Sequence, residues 1–523
     1  MKNNFAKLAC VLILTMAMLL AACAPGTPAP AVPTTGQQAA TPQPGQSAAA
    51  TQNEPAAEPV NIYVTWMTSG RFPTDLLMVE ERANEYIINE LNARITLLPM
   101  TIHERATTIQ LMIASGEQLD LMMSTFNAGI GPYVNRGQIL PLNDLFERYG
   151  AGIAASQGTT MAGGLFGGTL YAIPTTEFAG RNLGLVLRRD MVEKYGLENL
   201  ENVTYEELDS FFARVQEGEG DGFFMLAMGG SNIHNFSNFH PIDMLGSSQA
   251  SGVLMNGGRY DTIIVNVFAT EEYRTHVEWL RRWALAGYIQ RDAMTITGSN
   301  TDLMRTGNFL GLPTRMEIGS PESLSNSVGK EMVGVSFAGK VGTTDLYQAA
   351  MWTIPITSGN PAMAMQVLNL MYSSEYLTNL LTFGIEGLHY VKTDDPGIIS
   401  LPERVSSAEV GYFAMQHWGN NSTRFRFTPV ESSFFEELAL FNASIDDSVV
   451  SLALGYTYDP SDFSTEFALV TDVIVRYRAA LESGAVDPAT VMPEFLAALE
   501  AAGIYRLIAD NQARLDEWLA MNN

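Results

Sequence analysis

Glu386 and His389 stand three positions apart in the octet FGIEGLHY, residues 383–390. On a helix that spacing puts both side chains on one face, as in the Glu-x-x-His arrangement of carboxylate-bridged metal sites. Such a site also needs a second Glu-x-x-His and further carboxylates on facing helices, and the chain offers no clear counterpart. Gly384 and Gly387 argue against a continuous helix as well, because glycine costs about 1 kcal/mol relative to alanine inside one. The octet therefore reads as a helix ending and a strand beginning. For Glu386 and His389 this leaves two roles open, a hydrogen-bonded corner or direct contact with a ligand.

Other reactive patterns are weaker. GVSFAGKV, residues 334–341, meets the Gly-x-x-x-x-Gly-Lys spacing of a phosphate loop, but Val341 stands where a magnesium-binding hydroxyl is required. There is no Gly-x-Ser-x-Gly elbow and no His-Glu-x-x-His, and the six histidines show no metal spacing, so no metal or other cofactor is expected. A glycoside hydrolase needs only two well-placed carboxylates, and a chain with 56 Asp and Glu always offers such pairs. A secreted hydrolase thus stays open as the enzyme alternative.

The elements that would position these residues alternate. VNIYVTW reads as a strand from Val60, and residues 75–91 follow as a helix with apolar positions at Leu76, Val79, Ala83, Ile87 and Leu91. RITLLPM is a second strand, a helix runs over about residues 107–114, and DLMMST is a third strand. This order indicates an α/β fold of mainly parallel strands, whose ligands gather at the strands' carboxyl ends. Further along, LGLVLRRD enters the helix MVEKYG, Thr204 and Glu207 form a capping box, Asn360 and Pro361 start another helix, and residues 493–521 read as two helices broken near Gly503.

The amino terminus sets the expected location. Lys2 and Lys7 precede an apolar stretch, residues 8–20, too short to span a membrane and suited to a signal peptide. Leu20-Ala21-Ala22-Cys23 resembles the lipobox of bacterial lipoproteins, which implies that Cys23 is lipidated; the alternative is an ordinary signal peptide ending in Ala-x-Ala. Residues 24–59 are mostly Ala, Pro, Thr, Gln and Gly with Glu54 and Glu58 the only charges, a composition that cannot offset its ordering entropy and should form a disordered tether. Cys10 and Cys23 are the only cysteines, so neither disulfides nor thiolate metal sites are available after residue 59. Removing residues 1–22 takes away two lysines and no acid, moving the net charge from -26 to -28. That charge argues against nucleic acid, whose binding rests on cationic contacts to phosphate.

Several ordered segments resemble the extracellular solute-binding proteins of ABC transporters, family 1, in the branch with a Gly-Ile-Glu-Gly-x-His-Tyr signature. They are IASGEQLDLMMS (113–124), GQILPLNDLFERYG, GTLYAIPTTEFAGRNLGLVLRRDMVEKYGL (168–197), SGNPAMAMQVLNLMYSSEYLTNLLTFGIEGLHY (358–390) and VMPEFLAALEAAGIYRLIADNQARLDEWLA (491–520). The resemblance implies two α/β lobes of the periplasmic-binding-protein type, joined by a hinge over an interlobe cleft. By it, residues 60–180 and 333–395 form the first lobe, and 181–332 and 396–523 the second. It implies a monomer, anchored by lipid on the outer face of the cell membrane, that delivers a carbohydrate, often an oligosaccharide, to permease subunits. A peptide receptor of the same architecture and a surface adhesin remain as alternatives.

Sugar recognition needs flat apolar faces for pyranose C–H surfaces and planar hydrogen-bonding groups for hydroxyls. Loops after strands supply Trp66, Ser124, Phe126 and Asn127 as candidates, with core packing the competing role for Trp66. By resemblance to the maltose-binding architecture, Asn232, His234, Asn235 and Phe236 are candidates in the second lobe. Arg315 would bind a hydroxyl pair or an acidic sugar's carboxylate, or else form a surface ion pair. Trp352 either faces the cleft or is buried, and Glu177 and Arg181, near the first crossing, either touch ligand or lock the hinge.

Overall fold

The computed structural model describes residues 58–522 apart from 69–71, 102–103, 126–129, 230–232, 234, 297, 407–408 and 415–416. The leader, the lipobox cysteine Cys23 and nearly all of the tether lie outside the described residues. So do the site candidates Phe126, Asn127, Asn232 and His234.

Two sheets organise the described chain. Strand β1 (Val60–Thr68), helix α1 (Leu76–Leu91), β2 (Ala93–Thr101), α2 (Arg105–Ser115) and β3 (Leu121–Thr125) follow the alternation expected from the sequence. Asn92, at the end of α1, takes a left-handed conformation that turns the chain directly into β2. β4 (Ile173–Pro174) ends this first passage, and the chain then crosses to β5 (Arg181–Arg188), α3 (Tyr205–Glu219), β6 (Phe224–Leu226), α4 (Glu271–Leu285), β7 (Phe309–Met316) and β8 (Met332–Val341). It returns to the first sheet with β9 (Ala350–Thr353). The strand order of the first sheet is β2-β1-β3-β9-β4, parallel among β1, β2 and β3 and antiparallel at β9. That of the second is β8-β5-β7-β6. The fold is therefore the expected two-lobed α/β one.

The lobe boundaries differ from the expected ones in two places. β8 pairs antiparallel with β5 along its length, so the second crossing comes after Val341 and not at 332–333. The same pairing removes the phosphate-loop pattern, because residues 334–341 run as an extended strand paired with β5 and not as a loop whose amides converge on a phosphate. The segment after 396 is also divided. Tyr412, Ala414 and Trp418 are buried with Ile62, Val64 and Leu368 in the first lobe's core. The closing helices α7 (Ser464–Glu482), α8 (Pro488–Ala502) and α9 (Ile504–Asn522) instead bury Val470, Phe495 and Leu507 against Phe236, Phe268 and Tyr273 of the second.

Local signals are realised as read. Thr204 accepts from the Glu207 amide while the Glu207 carboxylate accepts from the Thr204 amide, which completes the capping box of α3. The Asn360 side chain accepts from the Met363 amide at the start of α5 (Pro361–Ser373). Gly503 sits at φ +98° between α8 and α9, where a side chain would be strained. Among the described residues no helix is long and apolar enough to cross a membrane.

Candidate functional site

In the signature corner, helix α6 (Glu375–Phe383) ends at Gly384, whose φ is +82°. A side chain there would place its Cβ 2.4 Å from His389 Nδ1. That Nδ1 accepts the Ile385 amide at 2.9 Å, so the imidazole proton is on Nε2, which donates to Asp75 Oδ2 at 3.0 Å. His389 is buried and fully spent on holding the start of α1 to this turn, and the exposed Glu386 pairs with Lys392 at 3.0 Å. The pair does not share a helix face and forms a structural corner.

Five described site candidates are core residues, which corrects the expectation that they line a cleft. Trp66, 2% exposed, packs on Trp418 with ring centroids 5.6 Å apart, and Trp418 packs on Trp352 at 5.4 Å. Trp352 donates its indole N–H to the His417 carbonyl at 3.0 Å. These rings lie on the sheet face covered by helices, so their apolar surface is spent in packing. Asn235 and Phe236 are fully buried in the second lobe. Ser124 is buried within β3 opposite Met351.

Asn235 belongs to a closed polar network. Its Oδ1 accepts from His276 Nε2 at 2.5 Å, so His276 Nδ1 accepts the Tyr205 hydroxyl at 2.7 Å, and His240 Nε2 donates to the Tyr205 oxygen at 3.0 Å. The buried Glu482 accepts from the Asn235 amide at 2.6 Å, from the Tyr273 hydroxyl at 3.3 Å and from Arg478 Nε at 2.7 Å. Burial lowers the His240 pKa to about 4 and holds His276 well below its ordinary value, so both rings stay neutral.

Arg315 and the crossing residues Glu177 and Arg181 do come together, at the edges where the two sheets face each other. β1 and β3 run parallel, and β9 starts at Ala350 opposite Thr125, the last residue of β3. On the other side β7 ends at Met316 opposite Asn182, beside Arg181 at the start of β5. A cavity of about 320 Å³ lies between these edges, lined by Thr175 and Ala350 from the first side, Arg181, Arg315 and Glu317 from the second, and His417 and Asn421. It is continuous through Glu177, Phe178 and Glu317 with a second cavity of about 300 Å³. That part is lined by Phe383, Phe413, Phe425, Phe427 and Phe434 together with Arg424, Arg426, Ser320 and Asn326.

The charges along this groove are unevenly satisfied. Glu177 is paired twice, with Arg424 at 3.0 Å and with Arg426. Burial, together with the neighbouring Arg424, lowers the Arg426 pKa to about 10. The side chain of Arg181 is only 7% exposed, yet its nearest carboxylate oxygens, on Glu317 and Asp345, are 3.8 and 3.9 Å away. Arg315 reaches the same Asp345 at 3.4 Å and is 36% exposed. Burial lowers the Arg181 pKa, with Asp345 the chief opposing influence. The crossing strand itself is pinned by side chains, since Asn421 donates to the Thr175 carbonyl at 2.5 Å and Asn442 to that of Glu177 at 2.7 Å.

Arg424, Arg426, Glu317 and the phenylalanines were not picked out by sequence reasoning. A signal existed in NSTRFRF, residues 421–427, where strict alternation puts two arginines on one face and two phenylalanines on the other.

Set beside known proteins, residues 104–377 match the family described as bacterial extracellular solute-binding protein. Residues 452–520 match a domain of unknown function (DUF3502). A "carbohydrate ABC transporter substrate-binding protein" of Streptococcus pneumoniae is 22% identical over 463 residues, covering 86% of this chain and 89% of that one. The crystal structure of the N-glycan transport solute binding protein NgtS, also from S. pneumoniae, superposes with a TM-score of 0.76 at 20% identity, covering 89% of this chain and 100% of that one. An "HMO binding ABC-transporter associated solute binding protein" from Bifidobacterium longum infantis has a TM-score of 0.59 at 14% identity, over 89% of this chain and 99% of that one.

Proposed function

Because the chain belongs to the bacterial extracellular solute-binding protein family, we propose that it captures a carbohydrate, an oligosaccharide, in the groove between its lobes and hands it to ABC transporter permease subunits. The observation that carries this reading is a cavity built jointly by both lobes at the hinge, with donors, acceptors and aromatic faces side by side. Arg315, Arg181 and Glu317 supply hydrogen bonds to hydroxyls, and Phe413 and Phe425 supply apolar faces for pyranose rings. A solute touching both lobes binds the closed arrangement better and shifts the population toward it. The carbohydrate relatives named above support the solute class. The Leu20–Cys23 motif and the spacer after it support a chain held by lipid at the outer face of the cell membrane.

Incubation of the purified chain with an oligosaccharide panel tests this reading. Ligand-dependent thermal stabilisation with no product is the expected result. Multiple turnovers would replace the receptor by a hydrolase, and silence across all sugars would favour a peptide ligand.

A further inference from the structure

We propose that the solute selected by this groove carries a carboxylate, as in a uronic or sialic acid unit, and that Arg181 and Arg315 together read it. The inference rests on the carbohydrate reading above and narrows it to an acidic class. Four guanidinium groups, Arg181, Arg315, Arg424 and Arg426, line the groove with only two carboxylates, Glu177 and Glu317, while Asp345 partners Arg181 and Arg315 from behind the lining. This is a local surplus of positive charge in a chain whose net charge is -26. Glu177 is committed to Arg424 and Arg426, which leaves Glu317 and Asp345 to serve Arg181 and Arg315.

They serve them loosely. The contacts of 3.8, 3.9 and 3.4 Å exceed the roughly 2.7–2.9 Å of a charge-assisted hydrogen bond. Elsewhere the molecule closes such pairs tightly, with Arg188 2.7 Å from Asp190 and Arg478 2.7 Å from Glu482. The Nε atoms of Arg181 and Arg424 are buried and have no hydrogen-bond partner among the described residues. A buried guanidinium left this way carries a desolvation cost that an incoming acceptor removes. A neutral hydroxyl offers a single weak acceptor, whereas a carboxylate offers two oxygens in the geometry of the arginine fork and brings the missing negative charge. Glu317, which lines the cavity, then accepts from hydroxyls of the same sugar unit.

Isothermal titration of the full chain with matched pairs tests the inference: sialyllactose against lactose, oligogalacturonate against its carboxyl-reduced form, and a sialylated N-glycan against the same glycan without its sialic acid. The expected result is roughly tenfold or tighter binding of the acidic member of at least one pair. Arg315→Gln should abolish most of that difference while thermal melting stays at the parent value. Equal affinity of acidic and neutral members in every pair that binds, or an equal loss for both in Arg315→Gln, would overturn the acid selectivity and leave the carbohydrate reading standing. Binding by neutral panel sugars alone has the same meaning. No binding by any pair or by the neutral panel would overturn both.

Discussion

Two polar clusters among the described residues, one in the second lobe and one at the hinge, differ in how far their hydrogen bonds are completed. In the second lobe, Tyr205, His240, His276, Asn235 and Glu482 form a chain in which each proton meets an acceptor at 2.5–3.3 Å. At the hinge, Arg181 and Arg315 stand 3.4–3.9 Å from their carboxylates beside an open cavity. Polar residues of the same kind are therefore mortar in one place and a receptor surface in the other. Completeness of bonding distinguishes the two better than residue type does, because a satisfied buried group has nothing left to offer a ligand.

The contrast can be broken most forcefully at Glu482. Glu482→Ala strips acceptors from Asn235, Tyr273 and Arg478 at once and should cost about 3–5 kcal/mol of stability, read by chemical denaturation. Sugar affinity of the fraction that remains folded should not change.

Acid probes the same cluster. The folded state holds His240 and His276 neutral, so it binds fewer protons than the unfolded chain below the ordinary histidine value of 6.5. Stability present at neutral pH should be lost as the pH falls from 6.5 toward about 4, by at most about 1.4 kcal/mol per pH unit for each ring. Asp243 works in the opposite sense. Burial, and then the nearby Asp345, raise its pKa from 3.8 to about 6, so the folded state holds that proton more firmly and offsets part of the loss between those values. Melting curves from pH 7 to 4.5 should show a net fall that His240→Gln makes shallower.

The signature corner is a smaller closed cluster and should respond like one. Gly384→Ala forces a Cβ toward His389 Nδ1 at φ +82° and should lower stability by about 1–3 kcal/mol in thermal unfolding. The smallest effect on stability belongs to the open cluster. Arg315→Gln should shift it by no more than about 0.5 kcal/mol, because its single long contact contributes little. A larger loss would mean that the hinge pair is structural and would erase the distinction drawn between the two clusters.

Much of the fold was legible in the sequence because its signals are local. The alternation of β1, α1, β2, α2 and β3 follows apolar periodicity, and the Thr204 and Asn360 caps follow from side chains a few residues from the amides they serve. The site was much less legible. Trp66 and Trp352 end or begin buried strands and carry the right chemistry for sugars, yet which face of a strand a ring occupies depends on what covers the sheet. Asn235 and Phe236 are sugar-contact candidates by resemblance, yet helix α7 brings Glu482, 247 residues away along the chain, against Asn235 and closes the stretch into the core.

By itself the sequence determined the α/β class, the element order, the caps, the absence of disulfides after residue 59 and the resemblance to a solute-binding family. Tertiary structure alone decided that the second crossing follows Val341, that His389 is spent on Asp75, and that Glu177 meets Arg424 and Arg426 across the hinge. The physical reason is range. Periodicity and capping act over a turn or a strand, whereas a cleft is assembled from segments hundreds of residues apart, whose meeting depends on the packing of whole lobes.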